Sequence, residues 1–319
     1  MNGAPRLAVR DLERRFGERV AVAGLSFTVG TGELFGLVGP DGAGKTTTLR
    51  MLAGVLKPTA GDALIEGVSI ARDPEGAKPA IAYMSQRFGL YGDLTVAENL
   101  AFYADLYRVP VAERRDRLER LYTFSNLGPF KDRLAGRLSG GMKQKLGLSC
   151  ALVHTPRLLL LDEPTFGVDP ISRRDLWLIV HEMVSAGTTA IVSTAYMDEA
   201  ERFDRVALLH LGRILALDTP AALAASLAGE VAAIEVTPVR QARDLARTLD
   251  GVRTAAVFGH VLHLTVASWS REGSSILDAL ARAGLTVGAS RRIEPTIEDV
   301  LIDRLGRVSD SDEPVVEQP

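Results

Sequence analysis

The stretch GELFGLVGPDGAGKTTTLRMLAG, residues 32–54, limits what this chain can fold into more than any other segment. A short apolar run ends in glycines and passes directly into a segment of helix formers. Gly39, Pro40, Asp41, Gly42, Ala43, Gly44, Lys45, Thr46 and Thr47 fit the pattern G-x-x-x-x-G-K-[ST] in that strand-to-helix setting. Glycines let successive backbone N–H groups converge on an anion where side chains would obstruct it. The first turn of the following helix adds its partial positive charge, so the loop is suited to cradle a phosphate. Lys45 can reach terminal phosphates as a point charge, and the Thr46 hydroxyl is placed to ligate Mg2+.

The run RLLLLDEP supplies the partner for that loop. Its four leucines bury a strand, Asp162 emerges at the C-terminal end, and Glu163 follows. An aspartate there can hold Mg2+ through water, while Glu163 can polarise an attacking water. Alone, an Asp-Glu pair after an apolar run is more often a solvated strand end. The phosphate loop is what gives this pair a chemical role.

A chain of 319 residues exceeds one core of ordinary size, so two domains are expected. The first ninety or so residues are β-rich: LAVRDLERRF, VAVAGLSFTV and GDALIEGVSI read as strands. From about Thr95 to Cys150, apolar residues at three- and four-residue spacing mark a helical insertion. Buried parallel strands return with RLLLLDEP and TTAIVST, joined by the helical RRDLWLIVHEMVSAG. Residues 1–220 are therefore expected to form one α/β domain, with its helical subdomain over about 95–150. Residues 221–229, alanine-rich after a proline, read as a linker. Residues 230–305 carry the order β-α-β-β-α-β, a ferredoxin-like α+β arrangement, and end in a helix capped by Thr296 with Asp299 three residues on. The polar, acidic tail 306–319 is expected to be disordered.

Composition narrows the partners. A formal net charge of −3 lacks the basic excess of a nucleic-acid-binding chain, so no nucleic acid is expected. The single cysteine, Cys150, lies in the apolar LGLSCALV and can form no internal disulfide, which fits a reducing cytosol. The N-terminus carries charges where a signal peptide needs an apolar block. No uninterrupted apolar run reaches the roughly 18 residues of a spanning helix, so work at a membrane would require a partner that supplies the spans.

The decisive segment is LSGGMKQK, Leu138 to Lys145. Ser139 is a strong helix N-cap, and Gly140 and Gly141 expose the first amides of the helix, which makes a second anion site. This stretch resembles the signature motif of the ABC-type ATPases. The resemblance implies a P-loop fold of ABC type: a RecA-like core with an antiparallel β subdomain and a helical subdomain. It implies ATP and Mg2+ as cofactors. It also implies a dimer, homomeric or heteromeric, in which Ser139, Gly140 and Gly141 of one subunit face the phosphate loop of the other across ATP. By the same resemblance Phe16 matches the aromatic that stacks on adenine, its alternative being a core phenylalanine. Gln86, in YMSQRFGLY, matches the glutamine that senses Mg2+ and the γ-phosphate. Asp169, in GVDP, matches the carboxylate of a loop that contacts the partner subunit. These motifs stand in the family's order over residues 7 to about 220. Asp41 departs from the asparagine common at its place. The C-terminal domain resembles the accessory domain of drug- and polysaccharide-exporter ATPases, on EPTIEDVLIDRLG and its strand order.

One more position departs from that family. In IVSTAYMDEAE, Ala195 stands where a histidine usually reaches the nucleotide phosphate. With Lys45, Glu163 and the signature retained, slow hydrolysis is expected rather than none. Three functions stay open at this stage. The first is the ATPase subunit of an exporter, held at the cytoplasmic face of the membrane by a separate polytopic permease. The second is a regulatory or slow nucleotide binder, and the third is an ABC protein outside transport.

Overall fold

The computed structural model describes residues 4–86 and 89–311. The chain divides into two compact units, residues 1–214 and 215–319.

The first unit begins with β1 (Leu7–Phe16) and β2 (Arg19–Val29), then β3 (Leu34–Val38), which runs into α1 (Lys45–Leu52). Next come β4 (Ala60–Ile65), β5 (Val68–Ser69), the one-turn α2 (Pro74–Ala77) and β6 (Ile81–Met84). The helical insertion holds α3 (Val96–Leu106), α4 (Val111–Ser125) and α5 (Gly140–Leu152). The core resumes with β7 (Leu158–Asp162), α6 (Pro170–Ser185), β8 (Thr189–Thr194), β9 (Arg205–His210) and β10 (Arg213–Asp218).

These strands form two sheets. One is antiparallel where its pairings are defined, in the order β2-β1-β4-β5. The other has the order β10-β9-β3-β8-β7-β6 and is parallel across β9-β3-β8-β7-β6. Parallel strands covered on both faces should be continuously apolar, and β3 and β7 are buried at all five positions. Each leucine side chain sealed in β7 contributes about 1.5–3 kcal/mol of burial. Because β3, β7 and β8 point the same way, their C-terminal ends come side by side. The strand β6, which leads to Gln86, has no sequence signal of its own. Only four residues long, it follows Lys78 and Pro79 with no alternation to mark it.

Within the insertion, Thr95 and Glu98 form a reciprocal capping box that satisfies two free amides of α3. The free thiol of Cys150 is buried in α5, and burial pushes its pKa up, as for an inert structural thiol.

The boundary between the units falls within β10, and α7 (Pro220–Ala225) follows in the second unit, so residues 221–229 are not the linker that their composition suggests. The Thr219 hydroxyl accepts the Ala222 amide at 3.1 Å, Pro220 takes the first helical position, and the alanines favour helix. There follow β11 (Glu230–Thr237), α8 (Val239–Ala246), β12 (Val252–Phe258), β13 (Val261–Val266), α9 (Trp269–Arg282), β14 (Thr286–Ile293) and α10 (Ile297–Ser311). The sheet order β12-β13-β11-β14, antiparallel throughout, is the ferredoxin-like arrangement read from the sequence. Its core joins Ile234, Leu262 and Leu264 of the sheet to Ile276 and Leu280 of α9. Thr296 caps α10 as expected: its hydroxyl accepts the Asp299 amide at 3.2 Å, while Asp299 accepts the Thr296 amide at 2.9 Å. The helix continues through Gly306 to Ser311, past the expected start of the disordered tail, and the remaining residues of that tail lie outside the described ones.

With its own sheet, helices and core, the second unit is expected to be dispensable for folding of the first. A chain ending at Gly229 should still melt cooperatively when followed by far-ultraviolet circular dichroism. A gradual, non-cooperative melt would show that the two units fold only together.

Candidate nucleotide site

The loop between β3 and α1 takes its shape from glycine. Gly42 and Gly44 have φ of 80° and 98°, a region that residues with a Cβ rarely enter. A Cβ on Gly44 would also lie 2.6 Å from the Ala21 carbonyl oxygen. Lys45 opens α1 with its side chain folded back under the loop. Its Nζ donates to the Gly39 carbonyl at 2.8 Å and the Pro40 carbonyl at 3.1 Å, and pairs with Glu163 Oε1 at 3.1 Å. Gly39 and Pro40 thus serve the site by holding the lysine. Asp41, Gly42, Ala43, Gly44, Lys45, Thr46 and Thr47 line a pocket of about 380 Å3 together with Phe16, Arg19, Gln86 and Glu163.

Asp162 is 1% exposed, and hydroxyls meet its charge from three sides. Thr46 Oγ1 donates to Oδ1 at 2.9 Å, Ser193 Oγ donates to the same oxygen at 2.8 Å, and the Tyr83 hydroxyl lies 3.4 Å from Oδ2. Burial, with the Asp162 carboxylate adding to it, pushes the Tyr83 phenol up to about 12. A threonine hydroxyl beside a carboxylate is an all-oxygen donor pair, which suits a hard cation such as Mg2+. Among the described residues no group of three or more His, Cys, Asp or Glu gathers to hold a metal by itself. A cation here would complete its shell with phosphate oxygens and water, the usual habit of Mg2+.

Glu163 follows on the turn out of β7 with φ +49°, an uncommon conformation for a residue with a side chain. Two bonds from β8 hold it there: its amide donates to the Ser193 carbonyl at 3.1 Å and to Ser193 Oγ at 3.0 Å. Its carboxylate is spanned by Lys45 on Oε1 and by Gln86 Nε2 on Oε2, at 3.0 Å. Glu163 is thus buried, with a partner on each carboxylate oxygen.

Phe16 is 48% exposed and is no core residue, which removes the alternative reading of it. The Arg14 guanidinium lies 4.5 Å over its ring. Asp41 is exposed and has no hydrogen-bond or ion-pair partner among the described residues.

Ser139, Gly140 and Gly141 do not line this pocket. Ser139 caps α5, its hydroxyl accepting the Met142 amide at 3.3 Å. Gly141 packs so closely on the start of α6 that a Cβ there would meet Ser172 Oγ at 2.2 Å. The same helix start is capped by Asp169, whose carboxylate accepts the Ser172 amide at 3.0 Å, and this bond holds its pKa below the usual carboxylate range. Four residues beyond Gly141, Lys145 pairs with Asp175 of α6 at 2.7 Å. The start of α5 and Asp169 are thereby held side by side.

Ser193 and Tyr83 escaped the sequence reading. A polar residue near the end of an otherwise apolar buried strand, as in IVST, was the available signal for Ser193. Nothing marked Tyr83, because its strand went unrecognised.

An amide-lined loop opening beside a hydroxyl–carboxylate pair, at the ends of parallel strands, defines a P-loop nucleotide-binding protein. Comparison with known proteins narrows the class. The family model for the ABC transporter matches residues 22–166. The daunorubicin/doxorubicin resistance ATP-binding protein DrrA of Streptomyces peucetius is 34% identical over 97% of this chain and 96% of its own. The chain therefore belongs to the ATP-binding proteins of ABC transporters. The probable multidrug ABC transporter ATP-binding protein YbhF of Escherichia coli is 43% identical over 97% of this chain. This chain spans only about half of that relative, 54% of its length. Among solved structures, an ATP-binding subunit of an ABC transporter superposes with a TM-score of 0.63 at 32% identity, over 68% of this chain and 91% of that one.

Proposed function

We propose that this chain binds and hydrolyses ATP to power a separate membrane exporter. The observation that carries this reading is the pocket that joins Lys45, Thr46, Gln86 and Glu163, with the buried Asp162 carboxylate bonded to Thr46. In it the loop amides and Lys45 bind the β- and γ-phosphates. Thr46, Asp162 and Gln86 would hold Mg2+, which would neutralise charge developing on the transferred phosphoryl group. The phosphates compete with Glu163 for Lys45, because an ammonium between one carboxylate and a polyphosphate follows the larger charge. Once released, Glu163 accepts a proton from the attacking water. The adenine stacks on Phe16, whose exposed ring lines the pocket.

A second subunit, homologous or identical, completes the site. In support, Ser139, Gly140 and Gly141 offer helix amides that serve no phosphate in their own chain, beside the exposed Asp169. Among the described residues no helix is long and apolar enough to cross a membrane, so a polytopic permease would supply the path, with this chain on its cytoplasmic face. Relatives named for multidrug transport, daunorubicin/doxorubicin resistance and Nod factor export favour an exporter over the alternatives outside transport. We assign nucleotide binding to residues 1–220 and an accessory role to residues 230–305.

Two substitutions test the chemistry. Glu163→Gln should retain ATP binding but lower turnover by about 10²–10³, the usual cost of losing one transition-state group. In size-exclusion chromatography with ATP it should run as a dimer, and normal turnover would remove Glu163 from the mechanism. Ala195 is half-buried and offers no donor to the γ-phosphate. Ala195→His should therefore raise the steady-state ATPase rate by about tenfold or more, up to the roughly 10²–10³ that one such hydrogen bond is worth. An unchanged rate would mean that the site is already complete without an imidazole.

A further inference from the structure

Ala195 has no side chain that could fix its own turn, yet both of its neighbours are held. Thr194 Oγ1 donates to Glu199 Oε2 at 2.7 Å and accepts the Tyr196 amide at 3.0 Å. Glu199 is 1% exposed. On Oε1 it accepts Arg173 Nε at 2.7 Å and Trp177 Nε1 at 3.0 Å. The Arg173 guanidinium also lies 4.2 Å over the Tyr196 ring and 3.5 Å from Asp198. One buried carboxylate thus gathers the end of β8, the turn after it and the first half of α6.

What lies at the two ends of this strut gives it meaning. Arg173 stands in the first turn of α6, and its amide donates to the Asp169 carbonyl at 2.9 Å. Asp169 and the abutting Gly141 belong to the surface that would face a second subunit. At the other end the Thr194 carbonyl accepts the Gly39 amide at 3.2 Å, the start of the phosphate loop. Its neighbour Ser193 holds both the Asp162 carboxylate and the Glu163 amide. A shift of α6 relative to β8 would break charged, directional hydrogen bonds to the buried Glu199, where a low dielectric strengthens them. Neither Glu199 nor Arg173 lines the nucleotide pocket.

We propose that Glu199, acting through Arg173, is a positioning residue for hydrolysis. It locks the Asp169 turn to the strand end that carries the phosphate loop and Glu163, so that closure of a second subunit aligns the reacting groups. The proposal rests on the reading of this chain as an ATPase. Because the strut touches no wall of the pocket, its loss acts on the rate of turnover and spares nucleotide affinity.

The test uses the full chain with Glu199→Gln, Arg173→Gln and the double variant. It measures kcat, KM, binding of a fluorescent ATP analogue and its stoichiometry, and the thermal midpoint. Each single variant should lose at least about tenfold in kcat per bound nucleotide while KM and affinity move by less than about threefold. The double variant should be no slower than the slower single, as for two members of one unit. Arg173→Lys, which keeps a charge for Glu199, should recover part of the loss. Arg173 is 25% exposed, so its variants carry the test if Glu199→Gln does not fold. Wild-type kcat per bound nucleotide in the single variants overturns the proposal, as do losses that multiply in the double. A wild-type chain without turnover would overturn the hydrolytic reading and this proposal together, whereas an active wild type isolates the strut.

Discussion

The site depends on the burial of Asp162. A carboxylate at 1% exposure has to be met by donors, because an unpaired charge there would cost several kcal/mol. Its donors come from three different elements: Thr46 from the start of α1, Ser193 from the end of β8 and Tyr83 from β6. Satisfying one charge therefore fixes the phosphate loop, the Glu163 turn and the strand leading to Gln86 relative to each other. The parallel strand order makes this possible, since it brings the C-terminal ends of β3, β8 and β7 into one row.

That row also explains the position of Lys45. It lies at 4% exposure, held by two loop carbonyls and Glu163, so the cation and the carboxylate keep each other buried. Such a pair costs desolvation that its mutual attraction only partly offsets. On the proposed function, a polyphosphate entering the loop would offer Lys45 a stronger partner and release Glu163 toward water. On that proposal, binding and activation would be a single exchange of ion partners.

Much of this was legible in the sequence because each motif carries its own physics. The glycines of the loop, the buried leucines before Asp162 and the Ser139 cap each dictate a local conformation that tertiary packing had no reason to override. The readings that missed had weaker local signals. In IAYM four residues are too few for periodicity, so β6 and with it Tyr83 went unseen. The segment after Pro220 was read as a linker from its composition, although Thr219, Pro220 and the alanines are a cap, a first-turn proline and good helix formers in order. The network around Glu199 was out of reach of any local reading. It joins Arg173, Trp177, Thr194 and Glu199 across two elements and a turn, and only the fold brings them together. Ala195 was visible as a departure, but what steadies its turn was not.

The central claim is that the loop around Lys45 binds the phosphates of a nucleotide and that Lys45 is the charge they engage. Equilibrium titration of a fluorescent ATP analogue into wild-type chain and Lys45→Ala, both checked for folding by circular dichroism, tests it directly. Removing a buried charge-assisted contact to phosphate should weaken binding by at least about tenfold, the equivalent of some 1.4 kcal/mol. Equal affinity in the two folded proteins would contradict the assignment of this pocket.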